Sequence, residues 1–206
     1  MNNLKQLGLA VYLYTQDYEE WLPVADGFIL CGFGTHYNWV TMLLPYLMRG
    51  KTYGMTPPSQ TPYFDLWGGW YNTPNNIKNI FWCPSGMKER MISSNGLSKD
   101  GPNYGYNGYC GYCRGQWGWP TYPEQGMKKI SKVREHSKAF LIADVRANVD
   151  IRHIFPRYKI YVGENFSRRH NNGVNFLFVD NHVEWRTWEK IPDPSKDIIF
   201  WINYAQ

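Results

Sequence analysis

Several features are missing from this 206-residue chain, and each absence removes a class of function. No run of 18 apolar residues occurs, so these residues are not expected to cross a membrane as a helix. The start shows no basic region followed by an apolar one, so no secretory signal peptide is read there. There is no G-x-S-x-G elbow, and Ser85 and Ser167 stand beside Cys or Arg rather than in a nucleophile frame. No phosphate loop and no G-x-G-x-x-G opening a helix after a strand are present. No loop of closely spaced carboxylates suits calcium. Internal repeats are absent, and the 19 Gly and 13 Pro follow no period, which excludes collagen-like chains. Charged residues make up only 19%.

Aromatic residues are abundant instead, at 17%, with 10 Trp, 16 Tyr and 10 Phe. So much apolar and aromatic surface does not stay solvated, and 206 residues can bury a core without metals or crosslinks. The net charge of +5 is concentrated in residues 127–169, where 11 basic side chains face 4 acidic ones. No nucleic-acid motif accompanies the excess, so it reads as a solvated face that meets acidic patches on neighbouring subunits, and no nucleic-acid partner is expected. Arg152, Arg157, Arg168 and Arg169 suit surface anions or subunit contacts equally.

Leu4, Leu7, Val11, Tyr14 and Tyr18 are spaced 3, 4, 3 and 4 residues apart, which predicts a helix with one apolar face over residues 1–22. Leu9, Ala10 and Leu13 add apolar surface off that stripe, so either the domain wraps the helix or a neighbouring molecule covers it. Leu22-Pro23 is expected to stop it. Residues 23–126 are loop-rich, with a second helix predicted from Val40 to Met48. Residues 127–206 are mainly β: Ala139–Val145, the alternating Lys159–Val162, and Val174–Val179 with His182–Trp188, the last two forming a hairpin around Asp180-Asn181. Ile198–Tyr204 is a candidate last strand. Helix first, loops next and antiparallel strands last argue a single α+β domain.

The candidate chemistry is sparse. Cys31, Cys83, Cys110 and Cys113 permit two disulfides, and Cys31 paired with Cys83 would stabilise by roughly 4 kcal/mol in the chain-entropy model. Cys110-Gly-Tyr-Cys113 also fits half a zinc site, but no second C-x-x-C and no His at finger spacing follow, which favours a structural disulfide. His170, Asp180 and His182 form the constellation most open to a metal, with His36 or His153 as further ligands. Their simpler reading is structural: Asp180 caps its own turn, the imidazoles bond loop carbonyls, and Gly173 supplies an unusual backbone angle. Asp65, Asp144 and Glu164 are candidates for a carboxylate pair by residue type only. No metal, cofactor or enzymatic activity is therefore expected. Two aromatic groups, around Trp67 and Trp70 and around Trp117 and Trp119 with Tyr104 and Tyr106, suit stacking on sugars or pin long loops as small cores.

Five short islands resemble one bacterial family. Asn2–Ala10 resembles the NNLKQ-x-G-LA segment of pilin-like proteins with an H-X9-DG C-terminal motif, the planctomycete-type prepilin-like proteins. Phe81–Ser85 resembles their F-x-C-P-S, Tyr104–Asn107 their YGYN, and Ser131–Asp144 their segment ending in Ala-Asp. His170, nine residues and then Asp180 complete the C-terminal motif, with Asn181 in place of its Gly and His182-Val183 following. The resemblance implies a type IV pilin-like fold, with the N-terminal helix laid across an antiparallel sheet and long aromatic-rich loops inserted. It implies a non-enzymatic subunit of a type IV pilus-like filament or a type II secretion pseudopilus, extracytoplasmic, with copies of itself or other pilin-like subunits as partners. Leu4, Leu7, Val11 and Tyr14 would seat the assembly helix. In such proteins a very apolar half-helix precedes NNLKQ, is processed by prepilin peptidase and methylated, and anchors the subunit. Met1 stands where that half would have ended, so a membrane anchor is expected only through a segment outside these residues. The alternative is a secreted or surface glycan-binding module that uses the aromatic loops.

Overall fold

The computed structural model describes residues 1–27, 37–48, 63–64, 70–71, 75–86, 91–92, 98–99, 103–110, 112–113, 128–145, 153–154, 166–193 and 196–202. Helix α1 runs Asn2–Asp17 and buries Leu4, Leu7, Ala10, Val11 and Tyr14, the periodic stripe with Ala10 added. It has no side-chain N-cap bond and no acidic first turn, so packing rather than capping sustains it. The helix ends five residues before Leu22, and Pro23 does not stop it. Glu19 and Glu20 take positive φ (48° and 68°), and Glu20 N–H bonds back to the Thr15 carbonyl at 2.8 Å. Left-handed backbone is costly for a side chain with a Cβ. It is held here because the exit strand pairs at once: Ile130 N–H donates to Glu20 O, and Leu22 N–H to Lys128 O.

Helix α2, Trp39–Leu47, begins at Asn38, whose side-chain oxygen accepts from Thr41 N–H at 3.1 Å, an ordinary N-cap bond. It packs against α1 and buries Trp39, Val40, Met42, Leu43 and Leu44.

Five strands form the main sheet: β1 Tyr104–Asn107, β2 Phe140–Asp144, β3 His153–Ile154, β4 Gly173–Phe178 and β5 Val183–Thr187, in the order β3-β1-β2-β4-β5. The four strands β1, β2, β4 and β5 are antiparallel, and β3 joins the edge parallel to β1. The fold is α+β, a helix pair on an antiparallel sheet. The YGYN island, placed by sequence inside the loop-rich stretch, is a strand of this sheet. Smaller pairings lie outside it: Asp26–Gly27 with Tyr37–Asn38 and Tyr112–Cys113, Tyr63–Phe64 with Trp70–Tyr71, and Met91–Ile92 with Ser98–Lys99.

Both faces of the sheet are covered, which is why β4 is buried at all six positions. Leu177 and Ile142 face α1 and α2 together with Tyr104 and Tyr106. Val174, Phe176 and Phe178 alternate to the other side and meet Phe140, Phe166, Phe200 and Trp201. That second cover is not a strand. Residues 196–202 are a series of turns, so the described part of the strand expected at Ile198–Tyr204, residues 198–202, is not extended. Asp197 Oδ1 accepts from Phe200 N–H, and Phe200 O accepts from Phe140 N–H, which seats the segment without a ladder. The alternating stretch at residues 159–162 lies outside the described residues.

Counted from the closing pair Phe178 and His182, the hairpin loop is three residues long, 179–181, rather than two. Asn181 N–H donates to Phe178 O at 3.0 Å, and Phe178 N–H to His182 O at 2.9 Å. Asn181 alone takes the left-handed conformation, with φ of 70°. This is a tight turn followed by one left-handed residue, and Asn tolerates that position well. The hairpin tip meets α1 at Gly8, where an added Cβ would stand 1.8 Å from Asn181 Oδ1 and 2.8 Å from Leu177 Cδ1. Glycine at position 8 is therefore what allows the helix to cross the hairpin this closely.

Candidate functional site: a buried cysteine, aspartate and histidine

Three chain segments meet on the helix side of the sheet. Asp144 ends β2 opposite Tyr104 of β1 and is fully buried. Cys83 lies between two short 3-10 turns, Asn79–Phe81 and Pro84–Gly86, and Gly86 N–H closes the second by donating to Cys83 O. The segment is tied to the start of α1, because Asn3 Nδ2 donates to the carbonyls of Asn79 (2.9 Å) and Trp82 (2.8 Å). His170 opens the tight turn into β4. Asn171 and Asn172 both take positive φ (53° and 58°), and Gly173 N–H donates to His170 O. Two left-handed residues in succession define a type I′ turn, and Asn-Asn supplies it without glycine.

The side chains converge. Cys83 Sγ is 3.1 Å from His170 Nε2, and His170 Nε2 is 3.3 Å from Asp144 Oδ2. One ligand-type atom from each of the three lies within 4.8 Å of the others. Asp144 Oδ2 also accepts from Asn175 N–H (3.0 Å) and Asn175 Nδ2 (2.8 Å), which fixes the carboxylate. Arg169 approaches from the side of Gly86. Its Nε donates to Ser167 Oγ at 2.6 Å and Nη2 to Val145 O at 2.7 Å, and a Cβ on Gly86 would stand 1.9 Å from Nη1. Burial, helped by the Asp144 charge, pushes the Cys83 thiol up, while a backbone bond from Ser85 and the Arg169 guanidinium oppose the shift. Burial likewise holds the Tyr104 phenol far above its usual range, with the Asp144 charge adding to it. An open cleft of about 520 Å³ leads to the cluster, lined by Cys83, His170, Asn175, Pro84 and Trp185 among others.

The cysteine expectations change accordingly. Cys83 and Cys110 are free thiols, so neither Cys31–Cys83 nor Cys110–Cys113 is a disulfide. Cys83 points at His170 instead of a partner sulfur. Cys110 is fully buried, and that burial raises its thiol strongly. Cys31 lies outside the described residues, and the backbone of Cys113 pairs with Gly27.

The trio read from the C-terminal motif separates into two places. Asp180 and His182 sit together at the hairpin tip, with Asp180 Oδ1 accepting from His182 N–H (3.2 Å) and lying 2.5 Å from His182 Nδ1. His182 also stacks on Phe178 at 4.2 Å. Burial raises the Asp180 carboxyl, but the bonds from His182 outweigh it and hold the carboxyl below its usual value. His170 stands at the far end of β4, a six-residue strand and so about 20 Å away. His36 lies outside the described residues, and His153 is in β3. Asp65 and Glu164 also lie outside them.

Gly173 has an ordinary backbone angle, so its role is space. A Cβ there would stand 2.3 Å from Nε1 and 2.4 Å from Cε2 of Trp185, whose Nε1 donates to His170 O at 2.8 Å. Gly173→Ala is expected to cost about 1–3 kcal/mol in urea unfolding, because a rigid ring must move and release its bond to the His170 turn. In a Trp185→Ala background the same change is expected to cost less than about 0.5 kcal/mol, and equal costs in both backgrounds would show that the ring is not the obstacle.

Of the aromatic residues considered for ligand stacking, Trp67, Trp117 and Trp119 lie outside the described residues, and Trp70 pairs with Phe64 in a two-residue strand. Tyr104 and Tyr106 are core, with Tyr106 stacked on Trp39 at 5.7 Å. Arg168 lies over the Trp188 ring, and Arg152 and Arg157 fall outside the described residues. No helix among the described residues is long and apolar enough to cross a membrane.

A helix pair on an antiparallel sheet, with a cysteine–aspartate–histidine cluster at the start of the first helix, defines the class. The chain belongs to the family described as protein of unknown function DUF1559, whose model matches residues 1–144. The matched stretch contains Cys83 and Asp144 and ends before His170. No curated protein and no solved structure matches the chain.

Proposed function

We propose that the chain is a non-enzymatic, extracytoplasmic pilin-like subunit that packs with copies of itself or with related subunits in a type IV pilus-like filament or a type II secretion pseudopilus. The observation that carries this reading is the two-sidedness of α1. Leu4, Leu7, Val11 and Tyr14 are used up inside the domain, while Leu9, Tyr12 and Leu13 stand 53%, 53% and 40% exposed. The spacing of these three residues makes one stripe along the outer side of the helix. Exposed large apolar side chains in a row mark a surface that another molecule covers. The helix-first architecture and the family membership support the same reading. So does the C-terminal pattern of His170 and Asp180, with Asn181 in the place of glycine.

The test is the double variant Leu9→Asp/Leu13→Asp, made in cells expressing the gene from its natural locus. Wild-type protein is expected in the high-molecular-weight fraction sheared from the cell surface or in the inner membrane. The variant is expected to leave that fraction while its unfolding free energy stays within about 0.5 kcal/mol of wild type, since both sites are on the surface. Wild-type protein recovered only as a free monomer in the medium would overturn the proposal.

A further inference from the structure

We propose that Cys83, Asp144 and His170 bind a divalent zinc ion. Neither the family membership nor the pilin-like reading assigns such a site, and the proposal stands on geometry. In a tetrahedral zinc site, metal–ligand lengths of about 2.3 Å to sulfur and 2.0–2.1 Å to nitrogen or oxygen place S and N about 3.6 Å apart and N and O about 3.3 Å apart. Here the Sγ–Nε2 and Nε2–Oδ2 separations are 3.1 and 3.3 Å. A shift of about half an ångström by the cysteine brings the first of these to the tetrahedral value, and all three ligand atoms lie within 4.8 Å of one another.

A catalytic relay is the competing arrangement for these residue types, and the geometry argues against it. A relay uses both ring nitrogens, one toward the nucleophile and the other toward the carboxylate. Here the same Nε2 faces both Cys83 and Asp144. Three ligand atoms gathered within 4.8 Å of one another, two of them facing the same Nε2, suit a shared cation better than a relay.

A second observation points to a missing ligand. Asp144 is fully buried, yet its Oδ1 has no hydrogen-bond partner among the described residues. A buried carboxylate oxygen without a partner is expensive, and a cation bound at Oδ2 lowers that cost by neutralising the charge the two oxygens share. Oδ2, the oxygen 3.3 Å from His170 Nε2, is oriented by two donors from Asn175, the kind of support that fixes carboxylate ligands.

The donor set selects the ion. A thiolate and an imidazole favour zinc and its borderline-soft neighbours over magnesium or calcium, which take oxygen. Thiolate and carboxylate together cancel the two charges of the ion, which leaves the Arg169 guanidinium beside a neutral centre. Three protein ligands leave a fourth tetrahedral position. The cleft reaches Cys83 and His170, so that position is open to water or a small anion.

The test uses the full chain, expressed with zinc and purified under reducing conditions. Elemental analysis is expected to give about one zinc per chain, and Co(II) added after chelation to give a thiolate-to-cobalt charge-transfer band with intense tetrahedral d–d bands. Cys83→Ser is expected to abolish the charge-transfer band, and His170→Ala to weaken Co(II) binding more than tenfold. His182→Ala, changed at the far end of β4, is expected to bind as wild type. Less than about 0.1 zinc per wild-type chain together with no Co(II) spectrum would overturn the proposal. So would a charge-transfer band that survives Cys83→Ser. The wild-type measurement decides the matter even if a variant does not fold.

Discussion

Asp144→Ala is expected to destabilise the metal-free protein by about 3–5 kcal/mol, a large share of the roughly 5–15 kcal/mol of an ordinary domain. The size follows from what the carboxylate holds. Asn175 N–H and Nδ2 both donate to Oδ2, and His170 Nε2 lies 3.3 Å from it. Removing the acceptor leaves two buried donors of β4 without a partner, at about 1–3 kcal/mol each. The void left by the carboxylate adds to this. Asp144→Asn keeps an oxygen of the same shape and is expected to cost about half as much. For a chain of this size each kcal/mol moves Tm by about 2–4 °C, so the alanine variant is expected to melt about 10 °C lower. Urea unfolding with an unchanged m-value checks the free energy directly. A loss below about 1 kcal/mol would show that the Asp144–Asn175 bonds are replaced by water and that the site is not sealed.

This site was only partly legible in the sequence, and the reason is topological. Asp144 could be singled out there only as a carboxylate, and Cys83 only as half of a disulfide. Nothing in local spacing connects residues 83, 144 and 170. They meet because β1 pairs Tyr104 with Asp144, because β4 pairs with β2 through Phe176 and Ala143, and because Asn3 ties the Cys83 segment to α1. The short islands carried the information in another form. Those beginning at Asn2, Phe81, Tyr104 and Ser131 and the motif opening at His170 each contribute a residue to this one region: Asn3, Cys83, Tyr104, Asp144 and His170. The pattern from His170 to Asp180 was legible as a unit, but its two ends serve different places, since an extended strand separates them.

The fold was more legible than the site where periodicity speaks. The stripe Leu4, Leu7, Val11 and Tyr14 came through because it reports one buried face, and the apolar run Val174–Val179 came through as a strand, covered on both faces. The end of α1 did not, since two glutamates in left-handed conformation are imposed by pairing with residues 128–130 and not by local preference. The hairpin loop is one residue longer than the sequence suggests, because Asp180-Asn181 fits a two-residue turn as well as a three-residue one. A glycine before a strand suggests a conformational device, whereas Gly173 makes room for a tryptophan twelve residues later, a contact that spacing does not reveal.

Trp201→Ala is the second change expected to have a large effect, about 3–5 kcal/mol, although it lies in a segment with no regular structure. An apolar run near the C terminus suggests a strand. The structure uses it as a lid on the sheet's second face. The Trp201 ring meets Phe140 edge-on at 5.1 Å, stacks near Phe166 at 5.9 Å and touches Phe200 at 5.3 Å. Its Nε1 donates to Pro192 O at 3.0 Å, and its own carbonyl accepts from Asn107 Nδ2, which also bonds Phe140 O. Asn107 thus ties β1, β2 and the lid in one place. Truncating the ring removes a large buried side chain and the anchor of the turns before it, so Phe140, Phe166 and Phe176 lose their cover together. A β-strand at this position would tolerate the change better, since ladder hydrogen bonds would hold the backbone once the ring was gone. Asn107→Ala is expected to cost about 1–3 kcal/mol by freeing the same two carbonyls. The double variant is expected to cost less than the sum, because both changes release one segment. Urea unfolding of the two single variants and the double one measures this, and strict additivity would show that Trp201 and Asn107 act on separate parts of the fold.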